Sequence, residues 1–157
     1  GILIDQEIRK TFSLELFRLS NELERWLLLA VPDSLRFNAK GGCWASSSKA
    51  SQRILYSTIG IPPILHKKTK KPTLDDNAIN TLLERRDLQW LEPLLGRLAA
   101  YRSVGVFKEN FVDARLGITG RLHSQFNIAH PETHRWSSAK TAFGEGTNLQ
   151  NIPKVED

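Results

Sequence analysis

The sequence predicts a mainly α chain: two long antiparallel helices bracket a basic helical hairpin, and a strand-and-loop segment follows that belongs to an incomplete α+β unit. Three observations carry that expectation. Apolar residues recur at three- and four-residue steps in two long stretches, one ending near Ala30 and one beginning at Leu88. Four lysines crowd the segment His66-Lys67-Lys68-Thr69-Lys70-Lys71-Pro72 between them. From Arg121 to Asn127 the pattern switches to alternation, and residues 128–157 are rich in Pro, Gly, Ser, Thr and Asn.

Each element follows from local signals. Asp5 is placed to cap a first helix running to about Ala30, with Phe12, Leu16, Leu19, Leu23 and Trp26 on one face. Val31-Pro32-Asp33 ends it. Residues 33–47 read as loop, punctuated by Gly41-Gly42 and Ser46-Ser47-Ser48. A short helix over Lys49 to Thr58 carries Ile54 and Leu55, and Gly60 closes it. After the lysines, Thr73 is the expected N-cap of a helix over 74–86 with Leu74, Ala78 and Leu82 on one face. The second long helix runs from Leu88 to about Ala114, striped by Leu91, Leu94, Leu98, Tyr101 and Phe111. Gly96 and Gly105 weaken it by ~1 kcal/mol each relative to Ala, unless they admit a partner helix at close range. Arg121 to Asn127 alternates as a strand does, and residues 128–157 read as irregular.

The 157 residues suffice for one ordinary domain, or a small domain and part of another. Apolar residues make up 40% and charged residues 25%, the balance of a soluble folded chain. The longest apolar run, Trp26 to Val31, falls far short of the ~20 residues a membrane span needs. Cys43 is the one cysteine, so no internal disulfide forms, and no signal peptide is visible. The reading is intracellular. The chain contains no Met and opens Gly-Ile-Leu-Ile-Asp, which reads as an internal segment of a longer protein. A formal net charge of +5 lowers the cost of approaching a polyanion.

The chemistry this pattern favours is binding. His130 and His134 are four apart, but Pro131 between them argues against a helical metal pair, so no metal ligand is assigned. The acids are mostly helix-face or helix-start residues, and Asp113 near the end of the second long helix reads as a structural hydrogen-bonding residue. Ser137 and Ser138 have no base nearby in sequence, and Gly144-Glu145-Gly146 lacks the Lys-Ser/Thr of a phosphate-cradling loop. No catalytic residue is assigned. Lysines on a hairpin tip neutralise phosphates, and Arg, Asn and Gln in an irregular segment reach sugars or base edges. In the minor groove such donors test pair geometry without reading sequence.

Thr133 to Pro153 reads THRWSSAKTAFGEGTNLQNIP. It resembles the segment ahead of the first catalytic motif of family A (DNA polymerase I-like) DNA polymerases, T-G-R-(L/F)-S-S, a spacer, then N-L-Q-N-I-P. Asn148 to Pro153 matches the second part completely, and Thr133, Arg135, Ser137 and Ser138 match the first. The longer spacer looks like the phage-type branch. Upstream, Tyr101-Arg102, Lys108, Phe111 and Asp113 resemble a motif on the second long thumb helix, and Gly120 to His123 with Phe126-Asn127 resemble the G-R-(I/L)-H-x-x-F-N strand. Ile59 to Pro62 and Lys71-Pro72-Thr73 resemble the entry and exit of the lysine-rich thumb tip. Phe37-Asn38 and Gly1 to Asp5 resemble the thumb's beginning. His134 and Trp136 depart from the pattern, and residues 39–48 look inserted.

The resemblance implies a thumb over residues 1–116 and the start of a palm over 117–157. It implies a parent enzyme, a DNA-directed DNA polymerase, that uses Mg2+ and dNTP. The family's later motifs are absent from this sequence, so the chain itself is expected to bind no cofactor and to be inactive. Its expected partner is primer-template duplex DNA, with a processivity factor as a further partner at the thumb. Lys67, Lys68, Lys70 and Lys71 are then the thumb-tip backbone contacts. Arg135, Asn148, Gln150 and Asn151 lie along the minor groove, and Arg102 and Lys108 are weaker contact candidates. A phage-encoded parent would work in the cytoplasm of a bacterial host. Two alternatives stand beside this reading: a stand-alone nucleic-acid-binding helical protein without enzymatic activity, and a protein-interaction module that offers its basic loop to an acidic partner.

Overall fold

A computed structural model describes residues 1–36, 41–127, 137–139 and 147. The chain is mainly helical, as expected. In order, it comprises β1 (Ile2–Leu3), α1 (Gln6–Leu29), α2 (Ser48–Gln52), α3 (Asp76–Leu83), α4 (Glu92–Phe107), β2 (Arg121–Leu122), β3 (Gln125–Asn127) and β4 (Ser137–Ala139). Tight 3-10 turns cover Asp33–Leu35, Trp44–Ser46 and Arg86–Leu91, and wider π-type turns continue α2 over Arg53–Thr58 and α4 over Lys108–Val112. Two compact units result: Arg18–Val104, and Gly1–Phe17 with Gly105–Asp157.

The unit Arg18–Val104 holds a continuous apolar core. Leu27, Trp44, Leu55, Ile79, Leu82, Leu95 and Leu98 are completely buried in it. Burial of each such leucine is worth roughly 1.5–3 kcal/mol. Of the stripe expected on the second long helix, Leu91, Leu94 and Leu98 are buried with Leu95 beside them, while Tyr101 and Phe111 are only partly buried. The regular helix is shorter than expected, a 3-10 turn holding Leu91 before it and a π-type turn holding Phe111 after it. Trp44 is the largest buried side chain, and its indole Nε1 donates to the Leu27 carbonyl at 3.1 Å. Cys43, Trp44 and Ala45 thus lie inside the core, where the sequence reads as loop and partly as insertion. The correction has a plain cause: a three-residue 3-10 turn has no periodicity to detect, and one large aromatic gives it its burial.

Helix starts are set by side-chain caps. Asp5 Oδ1 accepts the Glu7 and Ile8 amides at 2.9 and 3.0 Å, as anticipated. In α3 the cap is Asp75, which accepts the Ala78 amide at 2.9 Å, and the helix starts at Asp76. Thr73 instead donates its hydroxyl to Asp75 Oδ2 at 3.2 Å. Asp takes the position because its carboxylate also meets the positive end of the helix dipole. Gly60 closes the Arg53–Thr58 turn with φ +83°, and the Ile61 amide donates back to Leu55 at 3.1 Å.

On α1 the predicted face holds in part. Of its five residues Leu16 is buried and Leu23 and Trp26 are half-buried, whereas Phe12 and Leu19 remain 41% and 44% exposed; Leu27, outside the predicted face, is the fully buried one. Apolar residues surround the first half of this helix, including Ile8, Leu14 and Phe17, so spacing alone cannot fix its inner face. Among the described residues, nothing lies within 4 Å of where a Cβ would stand at Gly96 or Gly105, so none of these residues makes a close helix approach there.

The second unit pairs its strands antiparallel: Ile2 with Leu122 and Leu3 with Arg121, then Gln125 to Asn127 with Ala139 to Ser137. The expected strand 121–127 is thus two short strands broken at His123-Ser124. Ser137–Ala139 is a strand within a stretch that reads as irregular; its pairing to β3, not its composition, makes it one. Phe107 stacks edge-on against Phe12 at 5.4 Å and tilted against Phe111 at 4.8 Å.

Candidate nucleic-acid interface

The lysine segment is the most basic feature described. It folds as a narrow β-like hairpin between the helices that flank it. The Thr73 amide donates to Ile64 at 2.8 Å, Leu65 and Pro72 form a bridge, and the His66 amide donates to Lys71 at 2.9 Å. At the tip the Lys70 amide donates to His66 at 2.9 Å, and His66 Nδ1 accepts the Thr69 amide at 3.2 Å. Lys70 takes a left-handed conformation, φ 56°, to close the turn. Lys67, Lys68, Lys70 and Lys71 are all exposed. Among the described residues the ion pairs are Arg36 with Asp33, Arg85 with Asp87, and Lys108 with Asp113, and none of them uses these four lysines. The hairpin therefore presents four ammonium groups to solvent on an ordered backbone. An open groove of about 880 Å³ runs between it and α3, with Lys67 and Lys68 on one side and Asp75, Asn80 and Glu84 on the other.

Arg102 and Lys108 sit differently. The Arg102 guanidinium donates to the Leu74 carbonyl at 2.6 Å, Ser51 Oγ at 3.0 Å and the Ala45 carbonyl at 3.1 Å. Burial lowers its pKa, and Asp76 and Tyr56 oppose that shift. At least three of its five donors are spent inside the protein, which leaves little for a phosphate. Lys108 Nζ lies 3.2 Å from Asp113 Oδ2, both partly exposed. Arg135, Asn148, Gln150 and Asn151 lie outside the described residues, as do His130, His134 and Phe37-Asn38. The structure does hold Thr147, immediately before Asn148. It is fully buried, its amide donates to the His123 carbonyl at 3.3 Å, and its hydroxyl donates to Asn110 Oδ1 at 3.2 Å.

Sequence reasoning missed three anchors: Thr147, the buried role of Arg102, and Tyr56, whose hydroxyl donates to the Thr73 carbonyl at 2.5 Å. A threonine beside a motif and a tyrosine in a helical run carry no distinguishing signal. Among the described residues no three carboxylate, imidazole or thiol groups converge as metal ligands. Nor is any helix among them long and apolar enough to cross a membrane.

No family model matches the chain. Two curated bacterial relatives decide what it is similar to. DNA polymerase I of Synechocystis is 32% identical over 161 residues, which is 100% of this chain and 14% of that protein. Thermostable DNA polymerase I of Thermus thermophilus is 26% identical over 158 residues, 98% of this chain and 17% of that protein. The chain is homologous to a segment of bacterial DNA polymerase I. It spans about one-sixth of the length of these polymerases. The fold agrees: a solved structure described as the POL domain of Pol1 from M. smegmatis, in complex with DNA primer-template and dNTP, superposes with a TM-score of 0.67. That match covers 100% of this chain and 25% of the other, at 23% identity. Every part of this chain, from β1 to the Asn148–Pro153 motif, therefore has a counterpart in DNA polymerase I.

Proposed function

We propose that the chain is the DNA-gripping part of a template-directed DNA polymerase, with a thumb over residues 1–116 and the edge of a palm over 117–157. The observation that carries this reading is the similarity to DNA polymerase I over the whole length of this chain. The solved polymerase of similar fold is a complex with primer-template DNA and dNTP, the ligands this reading assigns to the parent enzyme. In that enzyme a primer 3′-hydroxyl would lose its proton and bond to the α-phosphorus of a dNTP as the α–β phosphoanhydride bond breaks and pyrophosphate leaves; magnesium, when bound, would supply charge neutralisation. The residues of this chain supply grip instead. Lys67, Lys68, Lys70 and Lys71 neutralise backbone phosphates. Arg135, Asn148, Gln150 and Asn151 line the minor groove, where their donors accept any correctly paired sequence. The longer spacer between Ser138 and Asn148 supports a phage-type parent. The same basic hairpin is where a processivity factor with an acidic surface would dock.

The test is a salt titration of duplex binding by the full chain. Engagement of ~3–4 phosphates gives a log–log slope near −3. Replacement of all four hairpin lysines by Ala flattens the slope. Binding that is unaltered by the fourfold change overturns the assignment of the hairpin to DNA. Primer extension with magnesium and dNTP gives no product from the chain by itself; template-dependent extension would show that it holds catalytic groups of its own.

A further inference from the structure

We infer that Arg102 and Tyr56 are positioning residues for the lysine hairpin: they grip consecutive carbonyls at the point where the hairpin rejoins the helical body. The inference rests on the reading of the hairpin as a phosphate-contacting element. Thr73 and Leu74 are the two residues between Pro72, which bridges to Leu65 across the hairpin, and Asp75, the cap of α3. The Tyr56 hydroxyl donates to the Thr73 carbonyl at 2.5 Å, and Arg102 Nη1 donates to the Leu74 carbonyl at 2.6 Å. These donors come from two different places in the fold, the Arg53–Thr58 turn and α4.

The Arg102 donor is itself fixed. Arg102 is held by the Ala45 carbonyl and by Ser51 Oγ, and Ser51 is fully buried. Leu74, whose carbonyl is gripped, is 2% exposed and belongs to the core. The hairpin has no comparable anchor at its tip, where every lysine faces solvent. Its direction is therefore set at its base. The Thr73 amide, which pairs with Ile64 across the ladder, belongs to the residue whose carbonyl Tyr56 holds, so one residue links the ladder to the body from both sides.

The consequence for binding is entropic. A hairpin fixed at its base presents its four charges in one arrangement before a duplex arrives, so less freedom is lost on association. Release of the base leaves the charges in place and dilutes them over many arrangements. The pair thus governs lysine affinity without touching DNA.

The test is a double-mutant cycle on the full chain, read by duplex binding at fixed salt and by amide hydrogen exchange. Tyr56→Phe removes one hydroxyl from a half-buried site and keeps the ring. It is expected to weaken binding about 5-fold with the lysines present, within the range of coupling between linked residues, and to have no effect once Lys67, Lys68, Lys70 and Lys71 are Ala. The amides of His66, Lys70 and Thr73 exchange faster, while those of Leu95 and Leu98 in α4 do not. Arg102→Gln is expected to act in the same direction more strongly, and Arg102→Lys to restore part of the loss. An equal fractional loss in both lysine backgrounds overturns the inference, since it marks generic destabilisation or direct contact. Unchanged exchange at the hairpin amides in Tyr56→Phe overturns it as well. If the lysine change itself leaves binding unaltered, the phosphate reading fails, and faster hairpin exchange would then report a purely structural anchor.

Discussion

Trp44 and Leu27 meet at a single hydrogen bond that ties the turn after α1 to α1 itself: the indole donates to the Leu27 carbonyl at 3.1 Å, and both side chains are completely buried. That carbonyl belongs to the last turn of α1, where no amide four residues on lies within the helix to donate to it. Trp44 thus fills volume and satisfies an orphan acceptor together. Trp44→Ala is expected to cost about 3–5 kcal/mol, enough to unfold a marginal domain. Trp44→Phe is expected to cost less, mainly through the unpaired carbonyl, about 1–3 kcal/mol. Urea midpoints of the two variants check the order; a Phe variant as unstable as the Ala variant would show that the hydrogen bond, not the volume, dominates.

Arg9 performs a similar service in the other unit. Its guanidinium donates to the Val112 carbonyl through two nitrogens and to the Ala114 carbonyl at 2.6 Å. These carbonyls lie where the π-type turn ends and the helical ladder no longer uses them. Arg9→Lys keeps the charge but loses the planar fork that reaches both acceptors. A loss of about 1–3 kcal/mol is expected, with faster exchange confined to residues 108–122. Stability equal to that of the parent chain would mean that water replaces the guanidinium without penalty.

Gly96 yields the opposite sign. It sits inside α4, has no positive φ, and a Cβ there meets nothing within 4 Å. Gly96→Ala is therefore expected to stabilise the chain by about 0.5–1 kcal/mol, through helix propensity and a less free unfolded state. A rise of a few degrees in Tm checks it. A fall would reveal a close approach to this face that the described residues do not make.

Legibility followed the length of the signal. The two long helices were readable because three- and four-residue spacing repeats over many turns, as in Leu91, Leu94 and Leu98. The basic hairpin was readable from composition, since four lysines in six residues admit few other environments. What escaped were features with one residue of signal each. Trp44 looked like loop because a 3-10 turn is too short for a period. That Asp75 rather than Thr73 caps α3 escaped because both are good capping residues two positions apart, and their spacing from the apolar stripe does not rank them. Arg102 looked like an exposed helix charge, yet three acceptors from distant segments surround it, a coincidence visible only in three dimensions. The inner face of α1 was ambiguous because Ile8, Phe12, Leu14 and Phe17 leave no polar side in its first half.

Tyr101 and Cys43 give the chain an alkaline limit. The Tyr101 hydroxyl donates to Glu24 Oε2 at 3.1 Å. Burial, and next the charge of Glu24, raise its pKa well above the ordinary 10.0. Burial also raises the Cys43 thiol above its ordinary 9.0; a backbone hydrogen bond from Ala45 opposes this, and Glu24 adds to it. Both groups are neutral when protonated, so the folded state holds their protons more tightly than the unfolded chain does. Their stabilisation is complete below pH 9.0 and is lost as pH rises through 9.0 and 10.0 toward the folded-state values. The decline is at most about 1.4 kcal/mol per pH unit for each group. Tyr101→Phe removes one share: the variant is expected to be less stable at pH 7 by about 1 kcal/mol, for the lost hydrogen bond, and to lose stability more slowly above pH 10. Urea midpoints from pH 7 to 11 for the two chains should therefore converge. Curves that stay parallel over that range would show that Tyr101 titrates alike in the folded and unfolded chain, and that Glu24 does not hold its proton.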